Sequence, residues 1–219
     1  MIHKMNSDTD ITKRSADVIQ RRKEREKNQR RKKILKAAEK VFAKRGFQGA
    51  TIQEIALEAE LSVGTIYNFF SGKDALYSKI LTTHLDEMRE KVLRHITPIG
   101  NVKERLKAML FFQSEFIEKN RNFFIIFFRD QSRFPWAPAK DLEKEVSLRY
   151  ERFLETLRDI FEEGIEKGVF KPLPPEDLAE AWGGLCNAFF FKWLTEKSKW
   201  PLKSKVMTIY EIFMNGVGK

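Results

Sequence analysis

Residues 51–76 read TIQEIALEAELSVGTIYNFFSGKDAL. Two short helices joined by a tight turn account for this stretch. Thr51 is a good N-cap, and Glu54 three residues on completes a capping box, so a helix is expected over residues 52–59. Ser62 caps a second helix over 63–69, which Ser71 and Gly72 break. Ile52, Ile55, Ala56, Leu61 and Ile66 can share a small core, and Ala56 is small enough to let the helices cross closely. This is the helix-turn-helix pattern, in which the second helix enters the major groove of DNA.

The second helix is short, so only its first turn and one face can reach base edges. Its polar candidates are Ser62, Thr65 and Asn68, while Gly64 allows close approach because it carries no side chain. Tyr67 can place its hydroxyl on a phosphate. Lys73 opens the following helix, where a cation opposes the helix dipole, and a phosphate partner would explain its presence. Thr51, at another helix start, can offer a hydroxyl and backbone N–H groups to a phosphate. The residues alone also allow Tyr67 as a half-buried core side chain and Thr51 as a cap only.

Outward from this stretch the signal stays helical. Ile34, Leu35, Ala38, Val41 and Phe42 recur at helical spacing, and Gly46 ends that helix. Lys73 opens a helix to about Thr97, and Pro98-Ile99-Gly100 punctuates the chain. Helices over 101–119, 121–134 and 139–167 follow. Gly168 ends the third, and Pro172, Pro174 and Pro175 prevent its continuation. Helices over 176–197 and 201–214 complete an all-α chain. Residues 1–20 are polar and aperiodic, and disorder is expected there. The division is a basic amino-terminal arm over 1–27, a helix-turn-helix domain over 28–85 and a helical domain over 86–219.

The carboxy-terminal part is rich in aromatics, with FFIIFF at 123–128 apolar all round and therefore buried. Most of these rings are core, but some can line a cavity for an apolar or aromatic ligand, as pockets between bundle helices do. Gln113, Phe116, Phe127, Tyr150, Phe153 and Trp182 are the candidate pocket residues, and Arg129, Asp130 and Asn187 are further polar anchors. The last two helices suggest a face for a second copy of the chain. Trp182, Gly183, Gly184, Leu185, Ala188, Phe189 and Trp193 mix small and large apolar residues, and Ile209, Ile212 and Phe213 add a stripe.

Composition narrows the function. The 219 residues carry 41 Lys and Arg against 31 Asp and Glu, a net charge of +10. Residues 1–85 hold +8 of that excess, and residues 1–33 alone hold +7. Such asymmetry points to a polyanion partner for the amino-terminal part. Arg21, Arg22, Lys23, Arg25, Lys27, Arg30 and Arg31 are expected to touch phosphates or the minor groove beside the main site. One cysteine, Cys186, excludes an intrachain disulfide and suits a reducing compartment. No apolar run suggests a membrane span or secretory signal, so the cytoplasm is expected. His3, His84 and His95 lie far apart in no metal or nucleophile motif, and no glycine-rich phosphate loop occurs. Neither an enzyme, a cofactor nor a metal site is expected. The rival readings are a nonspecific DNA-architectural protein and a membrane-surface protein.

Residues 34–81, and within them AAEKVFAKRGFQGAT, IALEAELSVGTIYNFF and KDALY, resemble the DNA-binding domain of the tetracycline-repressor (TetR) family. The remainder agrees with that family in length and helical character. The resemblance implies a homodimeric transcriptional regulator, usually a repressor, that leaves a palindromic operator when a small ligand binds its carboxy-terminal domain. By position it implies phosphate contacts for Thr51, Tyr67 and Lys73, and a reading face of Ser62, Gly64, Thr65 and Asn68. Two departures stand out. Glu60 occupies a turn position where the family often has Gly, which strains the turn if the backbone is left-handed. Phe69 stands where His or Tyr is frequent.

Overall fold

A computed structural model describes residues 5–131, 140–196 and 200–218. Their elements are α-helices, apart from one 3-10 turn and an isolated bridge. The chain forms two compact units that divide between Leu76 and Tyr77.

The first unit is built on α1 (Met5–Gly49), α2 (Ile52–Glu58) and α3 (Val63–Tyr67). The helix therefore starts well upstream of the apolar periodicity, through the segment expected to be disordered. Ion pairing and hydrogen bonding at i,i+4 support it, from Arg22 to Glu26 at 2.9 Å and from Gln20 to Glu24 at 3.3 Å. At Gly46 the backbone turns to φ 74°, ψ 169°, which glycine tolerates and other residues resist. Ile34, Ala38 and Phe42 of α1, Ile55 and Ala56 of α2, and Ile66 of α3 are buried together. The Thr51 capping box is formed, with the Glu54 N–H donating to Thr51 Oγ1 at 3.1 Å and the Thr51 N–H donating to Glu54 Oε2 at 3.1 Å.

Between α2 and α3 the chain makes a Schellman turn. The Leu61 N–H donates to the Ala56 carbonyl and the Glu60 N–H to the Leu57 carbonyl, both at 3.0 Å. This motif needs a left-handed residue, and Glu60 supplies it at φ 52°. Lys33 donates to Glu60 at 2.8 Å, and this pairing holds the Glu60 carboxyl below the usual carboxylate range.

The second unit contains most of α4 (Lys73–Ile96), then α5 (Val102–Lys119), α6 (Arg121–Gln131), α7 (Lys140–Glu166), α8 (Pro175–Thr195), a 3-10 turn (Leu202–Lys205) and α9 (Val206–Val217). Asn101 caps α5 by accepting from the Lys103 and Glu104 N–H groups at 2.9 and 3.2 Å. Arg105 grips Glu163 with contacts of 2.8 and 3.0 Å, and with Lys167 it holds the Glu163 carboxyl down at about 2. Trp182 meets the Phe213 ring edge-on at 5.0 Å, and Phe161 packs against Phe170 and Phe213 at 5.5 and 5.6 Å. The end of α7 repeats the Schellman turn with glycine in the demanding place. The Val169 N–H donates to the Gly164 carbonyl at 2.8 Å, the Gly168 N–H to Ile165 at 2.9 Å, and Gly168 has φ 68°. After Phe170 the Lys171 N–H donates to the Val217 carbonyl at 3.0 Å, so the α7–α8 connection is pinned to the end of α9.

The two Schellman turns differ in the residue that bears the left-handed backbone, and this sets an expectation. Glu60→Gly removes the Cβ strain and the Lys33 contact together, and the backbone relief dominates because the pair is solvent-exposed. Thermal denaturation should show a midpoint higher by about 2–4 °C.

A candidate nucleic-acid interface and a candidate ligand cavity

The exposed groups of α3 and its flanks form the first site. Ser62 Oγ accepts from the Thr65 N–H at 3.1 Å and lies 2.8 Å from Thr65 Oγ1, so the two hydroxyls hold each other at the start of α3. Ser62 stays exposed and Thr65 half-exposed. Tyr67 is 54% exposed, which settles against a core role. Asn68, the C-cap of α3, is also exposed. A Cβ added at Gly64 would meet only Ser62 Oγ, at 3.9 Å. Nothing within the unit requires glycine there.

Thr51 is exposed and keeps its hydroxyl on Glu54, at 3.2 Å from Oε2. Lys73 has a structural task that sequence reasoning missed. Its ammonium donates to the carbonyls of Ala50 at 3.1 Å and Gln48 at 3.4 Å, and sits 4.6 Å from the centre of the Phe47 ring. It thus ties the first turn of α4 to the last turn of α1 and the residue that follows it. An ammonium has three donor hydrogens, so one remains for an outside anion.

The second site lies inside the carboxy-terminal unit. A cavity of about 70 Å³ is lined by Gln113, Phe127, Tyr150, Phe153 and Asn187, as anticipated, and by Leu85, Met88, Arg89, Ile117, Phe124, Phe128, Arg149 and Phe190, which were not. Gln113 is 5% exposed, and its Oε1 has no hydrogen-bond partner. The Nε of Arg89 is likewise buried without one. Arg149 is committed to Asp86 through two contacts of 2.9 and 3.1 Å. Burial, followed by the charges of Glu180 and Glu151, pushes the Tyr150 hydroxyl above its ordinary range. A larger groove of about 440 Å³ between α5 and α9, lined by Phe111, Phe112 and Met207 among others, lies open to solvent and holds no unpartnered buried polar group.

Several expectations need correction. Phe116 does not line the cavity, because its ring packs on Phe124 at 6.2 Å and His84 at 6.3 Å. Trp182 is fully buried against Phe213, so it lines neither the cavity nor an outer face. Ile209 and Phe213 are buried in the same core and are unavailable to a second chain. Leu185, Phe189 and Trp193 remain partly exposed, and Trp193 donates to the Trp200 carbonyl at 2.8 Å. The side chains of Arg129 and Asp130 lie outside the described residues. Cys186 is buried, which pushes its thiol up. Among the described residues no cluster of His, Cys, Asp and Glu could hold a metal, and no helix is long and apolar enough to cross a membrane.

The family model described as bacterial regulatory proteins, tetR family, matches residues 34–80. The tetracyclin repressor-like C-terminal domain model matches residues 100–217. The uncharacterized HTH-type transcriptional regulator YhgD of Bacillus subtilis is 32% identical over 84% of this chain and 94% of its own. Among solved structures, FadR from Bacillus subtilis in complex with stearoyl-CoA superposes with a TM-score of 0.74 at 20% identity, covering 84% of this chain and 97% of FadR. AibR in complex with isovaleryl coenzyme A and operator DNA gives a TM-score of 0.71 at 20% identity, with the same coverages.

The Lys73 contacts generate a test that needs no ligand. Lys73→Met keeps the stem over Phe47 and removes the donors to Gln48 and Ala50. Urea denaturation should show a loss of about 1–3 kcal/mol, because two hydrogen bonds from a charged donor go, one of them exposed. A variant as stable as the parent would assign the lysine wholly to an outside partner.

Proposed function

Since the chain belongs to the TetR family of bacterial regulatory proteins, we propose that it is a homodimeric, ligand-responsive repressor of transcription. It binds a palindromic operator through α3 and leaves it when an acyl-coenzyme A occupies the carboxy-terminal cavity. The observation that carries the ligand half is Gln113, a buried side chain with an unpartnered oxygen in a wall of phenylalanines. Leaving such a group unpaired costs free energy, which a donor on an incoming ligand recovers. The stearoyl-CoA held by FadR and the isovaleryl coenzyme A held by AibR support a thioester with an apolar acyl chain. The protein acts in the cytoplasm, where the chromosome is.

Thr51, Tyr67 and Lys73 position the phosphates, and Ser62, Thr65 and Asn68 read base edges with Gly64 allowing close approach. The second copy docks on the outer faces of α8 and α9, where Ala181, Gly184 and Ala188 form an exposed small-residue row beside Leu185 and Phe189. On α9, Ile212 is exposed and available to the same interface.

The cavity's size suggests how release works. At about 70 Å³ it is too small for an acyl chain, being about half the size of an apolar cavity of about 150 Å³ that takes up benzene. The ligand therefore selects a conformation with the aromatic wall parted. That gives it the different affinities for two states that any release mechanism requires. Helix α4 supplies Leu85, Met88 and Arg89 to the wall and Lys73 to the DNA side, so its displacement carries the signal.

Two experiments test the reading. Fluorescence anisotropy with a duplex selected from a random library should show Tyr67→Phe weakening all sequences alike. In the same assay Asn68→Ala should change preference at one base pair by about 1–3 kcal/mol. Binding of random and selected duplexes with equal affinity would favour the architectural alternative. Titration of the bound complex with acyl-coenzyme A thioesters of graded chain length should release DNA. In Gln113→Leu the ligand concentration for release should rise about tenfold with operator affinity unchanged. The ligand-free variant should be no less stable, because it buries one unpaired oxygen fewer. Release at unaltered concentrations would remove Gln113 as an anchor.

A further inference from the structure

Helix α1 extends further than the helix-turn-helix fold requires. Its inward face begins at Ile34, and every residue from Asp17 to Lys33 is exposed. Those 17 residues carry nine basic and three acidic side chains. Glu26 is occupied by Arg22, and Glu24 accepts from Gln20. At the end nearer the fold, Lys33 holds Glu60 at 2.8 Å, and the Arg31 guanidinium lies 5.2 Å from the centre of the Phe70 ring. Among the described residues Arg21, Lys23, Arg25, Lys27 and Arg30 have no such contact.

The two anchoring contacts place the extension. Glu60 lies in the turn that enters α3, and Phe70 lies just beyond the end of α3. The basic helix therefore leaves the unit beside both ends of the element offered to the major groove. Its cations stand all round the helix, and a helix about 10 Å wide does not fit a minor groove about 6 Å wide. Of the two contacts expected from sequence, phosphates or the minor groove, these two facts leave the phosphates. Only Val18 and Ile19 are apolar, and both stand exposed, so the helix lacks the apolar face that binding to a lipid surface uses.

We propose that residues 17–33 form a second, sequence-independent DNA site, a helical cationic rod lying along the phosphates that flank the operator. It rests on the operator-binding reading above. Lys33 to Arg21 spans about 18 Å at 1.5 Å per residue. That length covers about five base pairs of duplex at 3.4 Å each. The rod adds affinity, a steep salt dependence and fast encounter, and adds no base preference.

The test uses the full chain and a variant carrying Arg21→Gln, Lys23→Gln, Arg25→Gln, Lys27→Gln and Arg30→Gln. Glutamine keeps good helix propensity, and an unchanged far-ultraviolet circular dichroism spectrum certifies the fold. With a random-sequence duplex, the slope of log affinity against log salt should flatten by about 2–4 per dimer in the variant. With a selected duplex, lengthening each flank by about five base pairs should strengthen the parent and leave the variant unmoved. Sequence selection should be the same for both. Equal slopes and equal flank dependence would overturn the proposal. A changed preference for A·T flanks would overturn it in favour of a minor-groove arm. Loss of binding to phosphatidylglycerol vesicles with DNA binding intact would overturn it in favour of a membrane surface. A parent that selects no sequence yet shows the slope difference would remove the operator reading and leave the rod as a general DNA contact.

Discussion

The turn from Ala59 to Leu61 sets the direction in which α3 leaves α2, and the exposed groups of α3 owe their arrangement to it. Ending α2 leaves carbonyls that need donors, and the N–H groups of Glu60 and Leu61 supply them only if Glu60 turns left-handed. Once the backbone does so, Ser62 arrives extended and caps α3. Ile66 then falls inward among Ile34, Ile55 and Ala56, while Tyr67 and Asn68 fall outward. Glycine would meet the backbone demand with less strain. The glutamate instead brings a carboxylate within reach of Lys33, and so couples the turn to the basic helix.

Local backbone chemistry was the most legible part of this chain. The capping box at Thr51 and Glu54, the Ser62 cap and the stops at Gly46 and Gly168 depend on neighbours within six residues, and sequence displays those directly. The exposed face of α3 was legible for the same reason, because a five-residue helix has few ways to orient. Lys73 was half legible. Its position at a helix start was plain, but the carbonyls of Gln48 and Ala50 come from more than twenty residues away. The start of α1 was misjudged, since a largely polar segment gives no periodicity and its helicity rests on i,i+4 pairs and continuity with the core-facing half.

The carboxy-terminal unit was legible in class and much less so in detail. Aromatic residues at helical spacing can face a core, a cavity or a partner, and periodicity does not distinguish them. Trp182, Ile209 and Phe213 converge on one buried cluster, whereas Phe127 and Phe153 border the cavity. Gln113 was nameable because a polar residue in an apolar stripe is conspicuous. Arg89 was not, because an arginine on a long polar helix looks like any solvated charge until burial of its Nε is seen.

The pairing of Lys171 with Val217 has a consequence for biosynthesis. Helix α9 follows every other described element in the order of synthesis, yet its Phe213 completes the cluster of Phe161 and Trp182, and its end pins the segment after Phe170. The apolar heart of the carboxy-terminal unit therefore stays open on the ribosome until α9 has emerged. The residues up to Leu76 form a compact unit of their own. The unit that carries α3 is thus made first, while the carboxy-terminal unit still exposes its aromatics. The interval before α9 emerges, with apolar surface exposed, is a window for chaperones.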